Sequence, residues 1–219
     1  MAARSSVPTP PRRVVPDLPS VLDPADAIER HADIAGARIT GLTGDVDAAH
    51  ARIVECAWEE STLARLDVRG AVLTDVVWRE PRITELIARD SRWRDVQVIG
   101  GRLGALDLVR AELAGVVLQG VRIDYLSMAS ATLTDLRLVD CRIGTLDLPE
   151  AQLQRVAFEA CVADEVDCRG MRASDADLRG LEALAFTDYT ALRGVALGVE
   201  QTRTHAPALA ATLGIRVLD

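Results

Sequence analysis

Acidic side chains recur at fixed intervals along the middle of this 219-residue chain. Glu55, Glu60, Asp75, Glu80, Asp95, Asp135, Asp140 and Asp175 are all separated by multiples of five, and Arg82, Arg102, Arg122 and Arg142 follow one another at intervals of twenty. Charges placed so regularly suit recognition of a complementary surface, and the residues needed for bond-making do not accompany them. The three histidines, His31, His50 and His205, have no compact metal-ligand motif around them and read as surface or capping residues. No phosphate loop, dinucleotide glycine pattern or nucleophile elbow occurs. No catalytic residue, metal ligand or cofactor is assigned, and the chain is not read as an enzyme.

The spacing itself identifies the element that positions these charges. From Ala51 to Ala185 the sequence divides into pentads without a slip, and the third residue of every one is apolar, from Ile53 through Leu178 to Ala183. The first residue is apolar too, except at Ser61, Pro81, Ser91 and Gly101. A period of five fits neither a helix of 3.6 residues per turn nor a simple two-residue strand. Segments such as Ala176-Asp177-Leu178-Arg179-Gly180 and Leu146-Asp147-Leu148 resemble the pentapeptide-repeat family, whose unit reads approximately Ala-(Asp/Asn)-Leu-x-x. The resemblance covers about three-quarters of the chain. It implies an all-β solenoid, a right-handed quadrilateral parallel β-helix with four pentads per coil and short helical caps, its coils stacked at the parallel-strand spacing of ~4.8 Å.

With four pentads per coil, the faces can be numbered by the central residues 53, 58, 63 and 68, each repeating every twenty. Central Leu113, Leu133 and Leu153 then form one ladder, and Trp58, Trp78 and Trp93 an interior aromatic group. Cys56, Cys141, Cys161 and Cys168 read as small buried thiols, with Cys141 and Cys161 stacked but not bridged. The fifth positions of faces one and two carry the eight acids named above; the second position of face three carries the arginines, and that of face four Asp67, Asp107, Asp147 and Asp167. These columns read either as a binding surface or as a solvated exterior in which Arg and Asp pair across a corner.

Weaker pentads extend the array to residues 32–199, with slips between Gly41 and Ala51 and around Phe186–Tyr189. Residues 1–20 contain five prolines, lack periodicity and read as a disordered arm. Asp23-Pro24-Ala25-Asp26 resembles a helix start, which predicts a capping helix over about Pro24–His31 within an N-terminal cap at 21–31. Residues 200–219 read as a C-terminal helical cap. Leu209, Leu213, Ile215 and Val217 make it the expected homodimer interface, as the resemblance also implies.

Net charge is −8, with a pI near 5.0, and all 25 basic residues are arginine. That balance argues against direct binding of nucleic acid or of an anionic membrane. No transmembrane stretch or signal peptide is recognised, so a cytoplasmic location is expected. Two functions follow. The resemblance extends to quinolone-resistance members, which implies a DNA mimic that binds DNA gyrase or another type II topoisomerase through the acidic edge of faces one and two. The alternative is a general protein-interaction scaffold with an unrelated partner.

Overall fold

The computed structural model describes residues 7–217, so residues 1–6 of the arm and 218–219 of the C-terminal cap lie outside the described residues. The chain winds into a right-handed parallel β-solenoid of about eight turns. Its first strands are β1 (Asp23–Ala25), β2 (Asp33–Ala35), β3 (Ala37–Thr40), β4 (Thr43–Asp47), β5 (Arg52–Glu59) and β6 (Thr62–Asp67). From there to Asp167 each coil repeats the last two: an eight-residue strand spanning faces one and two, then a strand of six or seven residues along face three into face four. The long strands stack as one parallel sheet and the short ones as the other.

The pentad dictates this because each of its positions meets one environment. Every central residue from Ile53 to Cys168 is buried, and so are nearly all first-position residues, Ser61, Pro81 and Ser91 included. The two serines among them are bonded locally: Ser61 Oγ accepts from Trp58 Nε1 at 2.6 Å, and Ser91 Oγ donates to the Ala88 carbonyl at 2.6 Å. Leu113, Leu133 and Leu153 occupy matching positions of adjacent strands and are at most 3% exposed. Trp58 and Trp78 stack with ring centroids 4.5 Å apart, and Trp93 tilts against Trp78 at 6.4 Å. All four cysteines are buried and free, and burial pushes the thiols of Cys56 and Cys168 up.

Corners are made at the fifth position. On faces one, two and four this residue adopts positive φ in most coils, for example Glu55 at 53°, Glu60 at 52° and Asp90 at 56°. A chain without asparagine meets this demand with Gly, Asp, Glu and a few other residues, at a local cost for those with a Cβ. Face four adds a side-chain device to its turn. Asp67, Asp107 and Asp167 each accept the amide of the residue two positions on, at 3.1, 3.2 and 3.1 Å. Asp147 has Pro149 at that place, which offers no N–H, and its carboxylate accepts the Tyr125 hydroxyl instead.

The slips are visible as register. Ile34 pairs with Ile53 and Ile39 with Trp58, nineteen residues apart, until an irregularity between Gly44 and Asp45 restores the spacing of twenty. Beyond Phe186 a short 3-10 turn, Tyr189–Leu192, performs the second slip. Helix α1 (Val199–Thr212) follows, and Gln201 ties it to the last coil by donating to the carbonyls of Leu178 and Leu181 at 2.8 and 2.7 Å. His205 is buried beside Phe186 and Tyr189.

The N-terminal end differs from expectation. No helix forms over Pro24–His31; Asp23–Ala25 is a strand paired in parallel with β3, and Ile28 is buried at the end of the core. A helix of two turns would carry the full nucleation cost, whereas a strand satisfies the open sheet edge that β3 presents. No helix of the described residues is long and apolar enough to cross a membrane.

Candidate protein-binding edge

The acidic residues of faces one and two all lie on corners, and each has positive φ, between 49° and 55°. Their carboxylates therefore stand along two parallel edges of the rod, one at the bend between faces one and two within the long strands and one just past the ends of those strands, one step per coil. On the first edge the sequence runs Glu55, Asp75, Asp95, Gly115, Asp135, Arg155, Asp175; on the second it runs Glu60, Glu80, Gly100, Gly120, Asp140, Ala160.

The first edge is occupied. Described residues of the N-terminal arm, expected to be disordered, run lengthwise across the coils against it. The Thr9 amide donates to Asp175 Oδ1 at 2.8 Å, the Arg12 amide to Asp135 Oδ1 at 3.1 Å and the Asp17 amide to Asp75 Oδ1 at 3.0 Å. Between them Gln97 Nε2 donates to the Val14 carbonyl at 2.9 Å. Arg12 Nη2 reaches Asp95 Oδ1 at 2.6 Å and its Nε lies 3.7 Å from Asp135 Oδ2. Gly115 makes that placement possible. A Cβ there would lie 2.1 Å from Arg12 Nη2, so the one glycine of this column is the seat of the guanidinium. Arg155 closes the arrangement with a bidentate pair to Asp135 at 2.7 and 2.9 Å. The Arg155 guanidinium, then the Arg12 amide and charge, outweigh partial burial and hold the Asp135 carboxyl below the usual carboxylate range.

Low exposure of outward apolar side chains accompanies these polar contacts. Ala57, Val77 and Ala157 point outward at the second position of face two, yet they are only 4%, 5% and 7% exposed, and Val14 of the arm is 6% exposed. All four stand apart from the interior cluster. Further along, Val7, Pro8, Pro10 and Pro11 line a cavity with Arg137, Ala157 and Phe158.

The remaining predicted residues are not covered. Glu55, Glu60, Glu80 and Asp140 are exposed, and none of them forms an ion pair among the described residues. Arg82, Arg102, Arg122 and Arg142 are exposed and in direct register, strand to strand. Arg102 and Arg122 share Asp124, at 2.8 and 3.4 Å. An open depression of about 630 Å³ beside them is lined by Glu80, Arg82, Arg102 and Asp124. At the C-terminal end Leu213, Ile215 and Val217 are exposed, while Leu209 is half-buried. Among the described residues no group of three or more His, Cys, Asp or Glu is arranged to hold a metal ion.

Sequence reasoning placed the acidic column and missed its occupant. The signal was the four apolar residues Ala57, Val77, Val117 and Ala157 in an outward column that otherwise holds Gln97, Arg137 and Asp177, which solvent alone does not explain.

No family model and no curated protein matches the chain. Solved structures do. HetL, a pentapeptide repeat protein involved in heterocyst differentiation regulation from the cyanobacterium Nostoc sp. strain PCC 7120, aligns at 16% identity and TM-score 0.30, over 75% of this chain and 86% of that one. Two trypsin-treated variants of QnrB1, a plasmid-mediated fluoroquinolone resistance protein, align at 15% and 11% identity, both with TM-score 0.28. They cover 90% and 91% of this chain, and 95% and 99% of theirs.

Proposed function

We propose that this chain is a non-catalytic protein-binding rod, a scaffold that engages its partner through separate charged patches. The observation that carries this reading is the pairing of exterior charges between and within coils. Arg110 with Asp90, Arg137 with Glu159, Arg155 with Asp135 and Arg12 with Asp95 interrupt any continuous acidic stripe. What has no ion-pair partner among the described residues is a short acidic patch, Glu60 and Glu80 on the second edge, with Glu55 nearby, and Asp140 further along. A pull-down with the rod as bait, repeated after Glu60 and Glu80 are changed to Arg, tests the assignment. Loss of the captured proteins supports the patch; unchanged capture removes it.

A second, narrower reading is a DNA mimic that binds DNA gyrase or another type II topoisomerase. Its support is that same unpaired patch, which would exchange counterions with a basic groove as phosphates do. Binding would then weaken steeply with salt, and a supercoiling assay with and without a fluoroquinolone decides it. No effect on supercoiling and no binding at low salt end this reading and leave the scaffold.

We further propose homodimerisation through the exposed Leu213, Ile215 and Val217 with Leu209. Sedimentation of the full chain at tens of micromolar should give a dimer that L213D/I215D converts to monomer. A monomeric wild type removes the claim.

A further inference from the structure

The geometry points to a peptide-binding track along the first edge that seats one arginine of an extended, proline-rich polypeptide, and to residues 9–17 of this chain as its resident occupant.

The two lattices match. A proline-rich segment favours the extended conformation that advances about 3.1 Å per residue, and stacked coils advance about 4.8 Å. From Thr9 to Arg12 the arm covers about 9.3 Å in three residues, and from Asp175 to Asp135 the rod covers about 9.6 Å in two coils. From Arg12 to Asp17 the arm covers about 15.5 Å, against about 14.4 Å for the three coils from Asp135 to Asp75. Backbone amides thus meet carboxylates in step along the whole segment, as the three amide bonds record.

The remaining features sort ligands by chemistry. Prolines at 8, 10, 11 and 16 carry no N–H and alternate with the residues whose amides are used. Gly115 leaves space for one guanidinium, between Asp95 and Asp135, in a column otherwise filled by side chains. Gln97 reads a backbone carbonyl, and the apolar column at Val77 and Ala157 accompanies Val14 at low exposure. Because most of these contacts are to backbone, another chain of the same character fits the track as the arm does. The tethered arm sits there at high effective concentration and masks the track until it is displaced.

This inference stands on the arm's own contacts, so a rod that ignores every topoisomerase leaves it intact. The probe is a fluorescein-labelled peptide of residues 7–20, titrated with the full-length chain and followed by anisotropy. An R12E chain, whose own arm is weakened while the rod is unchanged, should bind the peptide at least about tenfold more tightly than wild type, and added salt should weaken that binding. A peptide carrying the R12E change should bind at least about tenfold more weakly than the native peptide. Should the R12E arm stay docked, the R12E/V14D chain removes its apolar anchor as well. Absence of binding to both chains overturns the proposal, as does equal affinity for the native and R12E peptides.

Discussion

Beside the bend between faces one and two, the outward second positions of face two run Ala57, Val77, Gln97, Val117, Arg137, Ala157 and Asp177, whereas on face three Arg82, Arg102, Arg122 and Arg142 follow one another. Both columns rise from strands in the same parallel register over the same aliphatic interior. The first is covered by a strap of non-repeating chain; the second faces solvent and shares a few carboxylates. A solenoid interior constrains only the first and third residue of each pentad, so the outward columns are free to record what they meet. Apolar residues recurring in an outward column report a covering segment, and an arginine column reports water or a partner from outside.

The comparison can be broken first at what the two edges have in common. Leu133→Asp places an unpaired charge at a position with no exposure and should cost about 3–5 kcal/mol in urea melts, weakening both edges together. A loss well under that would mean the interior ladder yields locally.

Next comes the strap alone. Val14→Asp puts a carboxylate into the seam beside the acidic column and should cost about 1–3 kcal/mol, or release the arm. Tryptic cleavage between Arg12 and Arg13 should accelerate at the same time, while the solenoid keeps its far-ultraviolet circular dichroism. Unchanged cleavage would show that the seam holds nothing.

Acid should act on the strapped edge and on face four. Asp167 on face four is held at about 2 by the Arg169 guanidinium, with the Arg169 amide and the Thr187 hydroxyl assisting, and Asp135 under the arm is also depressed, first by Arg155. Depressed carboxylates contribute stability that is present above the ordinary range near pH ~4 and lost as pH falls through the folded value. The melting temperature should therefore decline between about pH 4 and pH 2, and Asp167→Asn should flatten the decline. A variant that declines as steeply as wild type would assign the acid sensitivity elsewhere.

The smallest effect belongs to face three. Arg102 is exposed and its pair with Asp124 lies in water, so Arg102→Ala should change stability by no more than about 0.5 kcal/mol. A larger loss would mean that the arginine ladder is structural and that the two edges are more alike than described.

The interior was legible in the sequence for the reason the comparison gives. Ile53, Trp58, Leu63 and Val68 and their equivalents each face one environment, so the five-residue period reveals the inward set, and the four faces follow once the family resemblance supplies four pentads per coil. The corner acids were legible as positions but not as conformations, since Asp75 or Asp95 read as charge while also holding the left-handed backbone of a corner. Two segments were misread because their partners lie far off in sequence. Asp23-Pro24-Ala25-Asp26 has the local chemistry of a helix start, but pairing with β3, fourteen residues on, outweighs it. Pro8 to Pro16 have no local structure to propagate, and their order comes from carboxylates between 58 and 166 residues away.

The most direct test of the strap is amide hydrogen exchange, resolved residue by residue, on the full chain. The amides of Thr9, Arg12 and Asp17, donated to Asp175, Asp135 and Asp75, should exchange at least roughly tenfold more slowly than those of Arg13, Val15 and Leu18 between and beside them. Uniform exchange at unfolded-chain rates from Val7 through Leu18 would contradict the account, because it would leave the acidic edge bare.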